Sequence, residues 1–376
     1  MSGTLPILLD GAAPSGGGQV LRTALSLACL TGRPFALTRI RAAAEGPGLR
    51  ADHREVVRAA ARLCDAEVTG DDVGSQRLSF RPRGAVRPQE ATFDAGQDGA
   101  ATLLLQTLFW PLALAGGPST LTVRGTTHHP GGPTFHWLAL VWAPAVARLG
   151  FKVELSLQAA GFLPGGGGEL LARLEPARPM PPLDLRHRGT LREVEWLSLV
   201  GGLPHDSADR QDTRLRTRLR ALGVAEEGER VPLPVHGSAG HAALVVATFE
   251  RIRTGHAAVG AAGAGPGSPE QAADGAVEAF RAHLERGGAV DGVLGEQLLL
   301  PAAILAAGLV PPPAGVVPAT RYTVSEVTGH LLATSHVISR FLEVEVAVLG
   351  REGDPGEVRV QPPGGALEVA PLPAAP

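Results

Sequence analysis

The histidine at position 330 is the side chain best placed in this sequence to form a covalent intermediate. It lies in the run Thr328–Thr334, after a glycine and before an apolar helix. The positive end of a helix dipole disfavours the imidazolium, so a histidine there is neutral and nucleophilic at pH 7. Free N–H groups at the same helix end can hold a phosphate under attack. On spacing alone, a capping or surface histidine is the commoner role.

Other nucleophiles and metal motifs are poorly represented. Lys152 is the only lysine, and it lies in a strand-like run, Phe151–Leu155. A Walker A loop needs lysine between a glycine loop and Ser or Thr, so it is excluded, and a lysine–nucleotide intermediate is disfavoured. The sequence has no HExxH, paired CxxC or GxSxG motif, although a Ser-His-Asp triad stays open. Histidine is therefore the leading candidate nucleophile.

Two predicted helices begin behind glycines and carry polar side chains near their starts. Gly16–Gly18 precede a helix on which Gln19 and Arg22 share one face. The run Asp98–Thr102 opens a second helix, with Gln106 one turn further on. Free N–H groups at helix N-termini bind anions. An ordinary amphipathic helix is the alternative, and without other evidence it is favoured.

Composition limits the class of protein. The chain has 376 residues, of which 44% are hydrophobic and 19% charged, enough for two domains and a sizeable core. A net charge of −3 excludes a basic surface for long nucleic acid, so an RNA would be met locally by a few arginines. We expect Cys29 and Cys64 to be buried free thiols in a reducing compartment. With no signal peptide and no apolar run near 18 residues, we expect a cytoplasmic protein without a membrane partner.

An internal repeat organises the chain. Three segments share the order helix, glycine stop, strand, second helix, strand. The glycines are Gly32, Gly116 and Gly308, which suit a left-handed helix C-cap. The second helices are predicted at 51–64, 134–148 and 330–342. This pattern predicts an α/β (α+β) fold with three repeated βαβαβ-type modules.

The repeat is interrupted once. We predict that residues 1–185 and 276–360 form the three-repeat body, and that 186–275 form a smaller inserted α+β domain. The insert contains an arginine-rich helix from Ala208 to Leu222, for which a solvated helix is favoured over an RNA contact. Residues 361–376 are rich in proline and glycine, and we expect a disordered tail.

Several motifs, taken in order, carry a family resemblance. They are Leu9–Gly11, Gly16–Arg22, Ile40–Ala42, Pro47–Arg50 with His53, Leu103–Gln106, Gly125–Thr126, Gly161–Gly167, Glu296–Leu298 and His330. From about Leu8 to Val358 the chain resembles the RNA 3′-terminal phosphate cyclase family. The resemblance implies a three-repeat α/β body with an insert. It also implies an ATP-dependent ligase (EC 6.5.1.4) that converts an RNA 3′-terminal phosphate to a 2′,3′-cyclic phosphate.

The resemblance assigns roles to individual residues. His330 aligns with the nucleophile that forms a histidine–AMP intermediate before AMP passes to the RNA. The nucleotide-binding positions are Arg22, Gln106, Trp137, Val293, Leu294, Gly295, Glu296 and Gln297. Arg41 and Arg50, with Arg22, are the candidate contacts to the RNA 3′-phosphate, because a guanidinium binds phosphate bidentately. ATP with Mg²⁺ or Mn²⁺ is expected, with Glu296 as a metal ligand, and no protein partner is indicated.

Some positions depart from the family pattern. Ser15 stands where the family has a metal-contacting Glu, Ala44 replaces an Arg, and Asp52 replaces a Gln. Val293 replaces a Tyr that would stack on adenine. These changes keep open a catalytically impaired, cyclase-like RNA-processing scaffold. Enolpyruvyl transfer on a related repeat fold needs several lysines, which this chain lacks.

Overall fold

Two sheets at the start of the chain are built in the same way. The computed structural model describes residues 5–12, 17–261 and 268–364. The elements of this part are β1 (Ile7–Asp10), α1 (Gly17–Thr31), β2 (Phe35–Thr38), α2 (Ala51–Cys64), β3 (Glu67–Thr69), β4 (Arg77–Arg81), β5 (Glu90–Asp94), α3 (Ala101–Ala113), β6 (Ser119–Gly125), α4 (Phe135–Trp137), a π-helical turn (Leu138–Trp142), α5 (Ala143–Ala147), β7 (Val153–Ala159) and β8 (Gly168–Leu174). The strand orders are β1-β2-β4-β3 and β5-β6-β8-β7. In each sheet the first pair is parallel and the others are antiparallel.

An α+β unit follows the short strand β9 (Asp184–Leu185). Its elements are β10 (Leu191–Gly201), α6 (His205–Ala221), β11 (Glu227–Pro232), β12 (Gly240–Phe249), β13 (Arg253–Ala261) and α7 (Pro269–Arg286). They form a sheet in the order β11-β10-β12-β13, on which α6 and α7 pack. Position 275, where we predicted the insert to end, lies within α7. The division into body and insert stays a prediction.

The last part of the chain completes a fourth sheet. Its elements are α8 (Gly292–Ala306), β14 (Thr320–Val324), α9 (Gly329–Phe341), β15 (Glu345–Leu349) and β16 (Gly356–Gln361). The order β15-β16-β14-β9 repeats the pattern of the first two sheets, with β9 parallel to β14. The α/β fold class is confirmed. Gln361, the first residue of the predicted tail, is the last residue of β16, and residues from 365 onward lie outside the described ranges.

The helix α1 is central to the packing of the body. It contacts α2, α3 and α9, and most of its apolar side chains are fully buried. The predicted left-handed glycines are confirmed, since Gly32, Gly116 and Gly308 have φ of 69°, 83° and 69°. Cys29 and Cys64 are buried free thiols, as expected, with their sulfur atoms 3.5 Å apart between α1 and α2.

The arginine-rich helix α6 packs beside α7. Some of its arginines contact other side chains and are not free in solvent. Arg214 forms a two-bonded pair with Asp274 at 2.8 Å, and Arg218 reaches the same carboxylate at 3.2 Å. Arg216 lies over the Trp196 ring at 5.1 Å. Exposed ion pairs of this kind add little stability each. The ion pairs of Arg214 and Arg218 and the ring contact of Arg216 nevertheless engage these three arginines, which disfavours a contact between them and RNA.

Candidate functional site

A cleft of about 550 Å³ lies between the α+β unit and the helices α1, α8 and α9. Its walls come from β13, α7, the start of α8, the loop before α4 and the start of α9. The lining includes six of the residues selected from the sequence: Arg22, Trp137, Val293, Glu296, Gln297 and His330. The structure therefore brings together residues that are up to 308 positions apart in the chain. A volume of this size is typical of small-molecule sites.

His330 is the second residue of α9, and the neighbouring Glu296 faces its imidazole ring. The imidazole Nδ1 lies 3.7 Å from the Glu296 carboxylate, and the side chain is 48% exposed. This separation is too long for a direct hydrogen bond. With Nδ1 facing the carboxylate, Nε2 on the opposite edge is free to attack a ligand. Glu296 thus selects which ring nitrogen is available.

Thr328 connects the start of α9 to that carboxylate. As the N-cap of α9, its hydroxyl oxygen accepts a hydrogen bond from the Leu331 N–H at 3.1 Å. The same hydroxyl donates to a carboxylate oxygen of Glu296 at 2.5 Å. A hydroxyl can do both at once. Thr328 therefore fixes Glu296 and the helix that carries His330 as one unit.

The segment 293–297 contributes to the cleft unequally. Val293 is 46% exposed, while Leu294 is fully buried. A Cβ at Gly295 would lie 2.5 Å from a Val324 methyl carbon, so this glycine lets α8 approach β14. The Tyr322 hydroxyl donates to the Gly295 carbonyl at 2.8 Å. Leu294 and Gly295 thus hold the segment in place, and its other three residues face the cleft.

Two separate hydrogen bonds between polar side chains link helices near the cleft, one between α3 and α8 and one between α1 and α9. Gln106 on α3 donates to the Gln297 side-chain oxygen on α8 at 2.8 Å. Gln19 on α1 donates to the Thr334 hydroxyl on α9 at 3.2 Å and accepts from Arg22 at 3.1 Å. Gln106 does not line the main cleft; it lines a small adjoining cavity with Arg22 and Glu296. The predicted contact of Gln106 with the nucleotide would therefore be made through Gln297, to which Gln106 is hydrogen-bonded.

Arg22 carries a buried positive charge that no ion pair in the described residues compensates. Burial lowers its pKa to about 10, against the raising effect of Asp52 and Glu296. Within the described part of the chain, its guanidinium makes no ion pair and donates only to Gln19. A buried guanidinium without a carboxylate partner is costly, because desolvation is uncompensated. A bound phosphate oxygen would supply the missing charge.

Arg41 and Arg50 do not line the cleft. Arg50 pairs with the Asp52 carboxylate at 2.9 Å, and Arg41 donates to the carbonyls of Gly46 and Gly48 at 2.9 and 3.3 Å. Burial lowers the pKa of His53, Asp52 opposes that shift, and both arginines lower the pKa further together with Arg22. The three therefore form a positive cluster around that histidine, adjacent to the cleft.

Trp137 is less available than its aligned role suggests. The ring is 2% exposed, and its N–H donates to the Gly255 carbonyl at 2.9 Å. This bond ties β13 to α4. A base could touch only the ring edge at the cleft wall.

Several polar residues of the cleft were not predicted from the sequence. His256 is on β13 and His283 is on α7, and burial lowers their pKa values to about 3 and 2. Asp291 caps α8 through the Leu294 N–H at 3.0 Å, and burial raises its pKa to about 6. No local motif marks the two histidines, which only the fold brings here. The caps Asp291 and Thr328 did carry a signal, since Ser, Thr, Asp or Asn precedes an apolar helical run at N-caps.

Neither a metal cluster nor a membrane-spanning helix is found in the described residues. No group of three or more His, Cys, Asp or Glu side chains there could hold an ion. Glu296 as a metal ligand stays a prediction, and Ser15 lies outside the described ranges. No helix in those ranges combines the length and apolarity needed to cross a bilayer.

Comparison with known proteins gives one consistent match. Residues 13–348 match the family model described as RNA 3′-terminal phosphate cyclase. A protein of that name from Methylococcus capsulatus is 38% identical over 359 residues, covering 94% of this chain and 95% of the relative. Relatives of the same name from Koribacter versatilis and Pseudomonas fluorescens are 36% and 39% identical, over 92% and 90% of this chain and 92% and 93% of their own lengths.

Proposed function

Since the chain belongs to the RNA 3′-terminal phosphate cyclase family, we propose that it is an ATP-dependent ligase that converts an RNA 3′-terminal phosphate to a 2′,3′-cyclic phosphate (EC 6.5.1.4). The observation that carries the proposal is His330, half exposed at the cleft with Nδ1 toward Glu296. The same cleft has Arg22 and Gln297 on its wall. Nucleophile and phosphate-binding groups thus share one cavity.

In the first step, Nε2 of His330 attacks the α-phosphorus of ATP. The bond from that phosphorus to the bridging oxygen breaks, pyrophosphate leaves, and a phosphoramidate to AMP forms. The Nδ1 proton is held toward Glu296, which stabilises the positive charge that develops on the ring. Arg22 and the free N–H groups at the start of α9 bind the phosphate oxygens.

In the next two steps AMP reaches the RNA and is then released. An oxygen of the RNA 3′-phosphate attacks the AMP phosphorus, the P–N bond breaks, and His330 is regenerated. The neighbouring 2′-hydroxyl then attacks the RNA phosphorus, loses its proton, and displaces AMP. The cluster of Arg22, Arg41 and Arg50 around His53 supports terminal-phosphate binding adjacent to the cleft.

A divalent ion fits this site only in part. Of the Glu296 oxygens, one accepts from Thr328 and the other faces His330. This carboxylate could offer an ion one position, and ATP oxygens and water would supply the rest. Mg²⁺ or Mn²⁺ bound there would neutralise phosphate charge during attack.

Intact mass after incubation with ATP and Mg²⁺ or Mn²⁺ tests the first step. An adduct of AMP that acid removes is expected for the wild type and absent for His330→Ala. His336→Ala is the matched control, since His336 is an exposed histidine on the same helix. An adduct that persists in His330→Ala contradicts the assignment of the nucleophile.

A wild-type protein that forms no adduct would instead support the RNA-processing scaffold. Competition between oligonucleotides ending in 3′-phosphate and 3′-hydroxyl tests the substrate separately. The cyclase is expected to prefer the phosphate end, with little dependence on sequence or length. Equal affinity for both ends contradicts the proposed substrate.

A further inference from the structure

His129 lies beside the cleft and has no part in the steps above. It is on the loop between β6 and α4, and its ring lies against Gly131, which lines the cleft. Its Nδ1 accepts a hydrogen bond from the Gly131 N–H at 2.9 Å. A backbone N–H can only donate, so Nδ1 carries no proton. The neutral ring must therefore carry its proton on Nε2.

His53 has the same tautomer for the same reason. Its Nδ1 accepts from the Arg50 N–H at 3.4 Å, which leaves the proton on Nε2. A Cβ placed at Gly18 would lie 3.1 Å from that Nε2 and 3.0 Å from an Arg22 guanidinium nitrogen. The donor edge of His53 and the Arg22 guanidinium thus meet at the start of α1.

The two histidines share their charged neighbours. Arg22, Arg50 and Asp52 act on the charge of both rings, Arg41 also acts on His53, and Asp98 also acts on His129. Burial lowers both pKa values, that of His53 to about 4, so both rings are neutral at pH 7.

These neighbours make the region suitable for a phosphate. Asp52 is already paired with Arg50, whereas Arg22 has no ion pair in the described ranges. The N–H donor of His53 therefore meets a cation that lacks an anion, and the same cation acts on the charge of His129. A terminal phosphate offers several acceptor oxygens and a compensating charge.

We propose that His129 is a specificity-determining residue, which donates from Nε2 to an oxygen of the RNA 3′-terminal phosphate beside Arg22 and Arg50. This inference rests on the proposed function. The tautomer excludes the other obvious role for His129. Nε2 holds the proton and Nδ1 is engaged by Gly131, so the neutral ring has no free lone pair to take a proton from the 2′-hydroxyl.

The test is binding of fluorescein-labelled oligoribonucleotides, one ending in 3′-phosphate and one in 3′-hydroxyl, followed by fluorescence anisotropy without ATP. His129→Ala and His129→Phe both remove the donor, and the latter keeps a ring. Each should weaken binding of the phosphate end about tenfold or more, as expected for a hydrogen bond to a charged group. Binding of the hydroxyl end should change about twofold or less, since it lacks the acceptor.

Two further variants separate the donor from general damage. In His129→Gln the side-chain amide N–H reaches about as far as Nε2, so most of the preference for the phosphate end should return. His187→Ala is the control, since His187 is exposed and does not line the cleft. ATP binding, measured by calorimetry, shows which variants are folded.

The outcomes distinguish this inference from the function on which it rests. Equal wild-type affinity for the two ends overturns the proposed substrate and this inference together. A wild type that prefers the phosphate end, with the same preference in His129→Ala and His129→Phe, overturns the role of His129 alone. A failure of His129→Gln to recover the preference would also overturn it, because a donor at that position would not then be what matters.

Discussion

Thr328→Val should slow AMP transfer to His330 far more than it weakens ATP binding. Valine keeps the branched shape of threonine. It also keeps the methyl group that packs against Gly292, where an added Cβ would lie 2.8 Å from the methyl carbon. It loses the hydroxyl that caps α9 and holds Glu296. Loss of an N-cap costs about 1 kcal/mol, and loss of a hydrogen bond to a charged group about 1.5–3 kcal/mol.

The expected effect on the rate of AMP transfer, expressed as a free energy, is similar in size to the effect on stability. Without Thr328, the Glu296 carboxylate can rotate away from the Nδ1 of His330, from which it is already 3.7 Å distant. Misplacement of a catalytic group by about 1 Å can cost up to about a hundredfold in rate. We therefore expect AMP transfer to slow by about tenfold to a hundredfold. The unfolding free energy should fall by about 1–3 kcal/mol.

The assay is the rate of adduct formation by quenched-flow mass spectrometry, with ATP affinity and denaturant unfolding measured on the same samples. Thr328→Ser is the complementary control, because it keeps the hydroxyl and loses the methyl group. Its rate should stay near that of the wild type. The reasoning is refuted if Thr328→Val transfers AMP at the wild-type rate, or if Thr328→Ser is equally slow.

Three other changes have expected outcomes. Ser15→Glu should lower the Mg²⁺ concentration needed for AMP transfer, whereas Ser15→Gln should not; identical metal titrations would show that Ser15 is not at the metal site. Val293→Tyr should tighten ATP binding several-fold by calorimetry, because base–aromatic stacking is worth about 1–3 kcal/mol and Val293 is 46% exposed at the cleft, while Val293→Leu should have little effect. The free energy of unfolding in urea should fall as pH drops from 6.5 toward 4, because His136 (pKa lowered to about 4) and His256 (to about 3) stay neutral when folded but gain protons when unfolded. Each buried histidine adds a slope of up to about 1.4 kcal/mol per pH unit, and His136→Gln should reduce the slope; a flat profile would contradict the low pKa values.

Local signals in the sequence were sufficient for the framework of the body. Gly32, Gly116 and Gly308 stop helices because a left-handed residue without a Cβ satisfies the last carbonyls at little cost. The predicted helix at 51–64 matches α2 (Ala51–Cys64) in both bounds. These features depend on residues a few positions apart, which the sequence shows directly.

Strand pairing and helix packing between distant segments were harder to predict from the sequence. The strand β9 has only two residues, and it is identified by its pairing with β14, more than a hundred residues later. Likewise α7 spans the predicted end of the insert at 275, because its apolar face packs on β12 and β13. No periodicity within α7 reveals which sheet it will cover. The placement of His283 at the cleft follows from that packing.

Arg22 connects the cleft to the positive cluster of arginines around His53. It lines the cleft with His330 and Glu296, and it also acts on the charge of His53 and His129. Two phosphates that meet at one guanidinium lie within a few ångströms of each other, which is the separation that direct transfer between them requires. AMP on His330 could then pass to an RNA phosphate held beside Arg22 without crossing solvent. A scaffold that only bound RNA would have no need to place a half-exposed histidine and a carboxylate in the same cleft as that arginine.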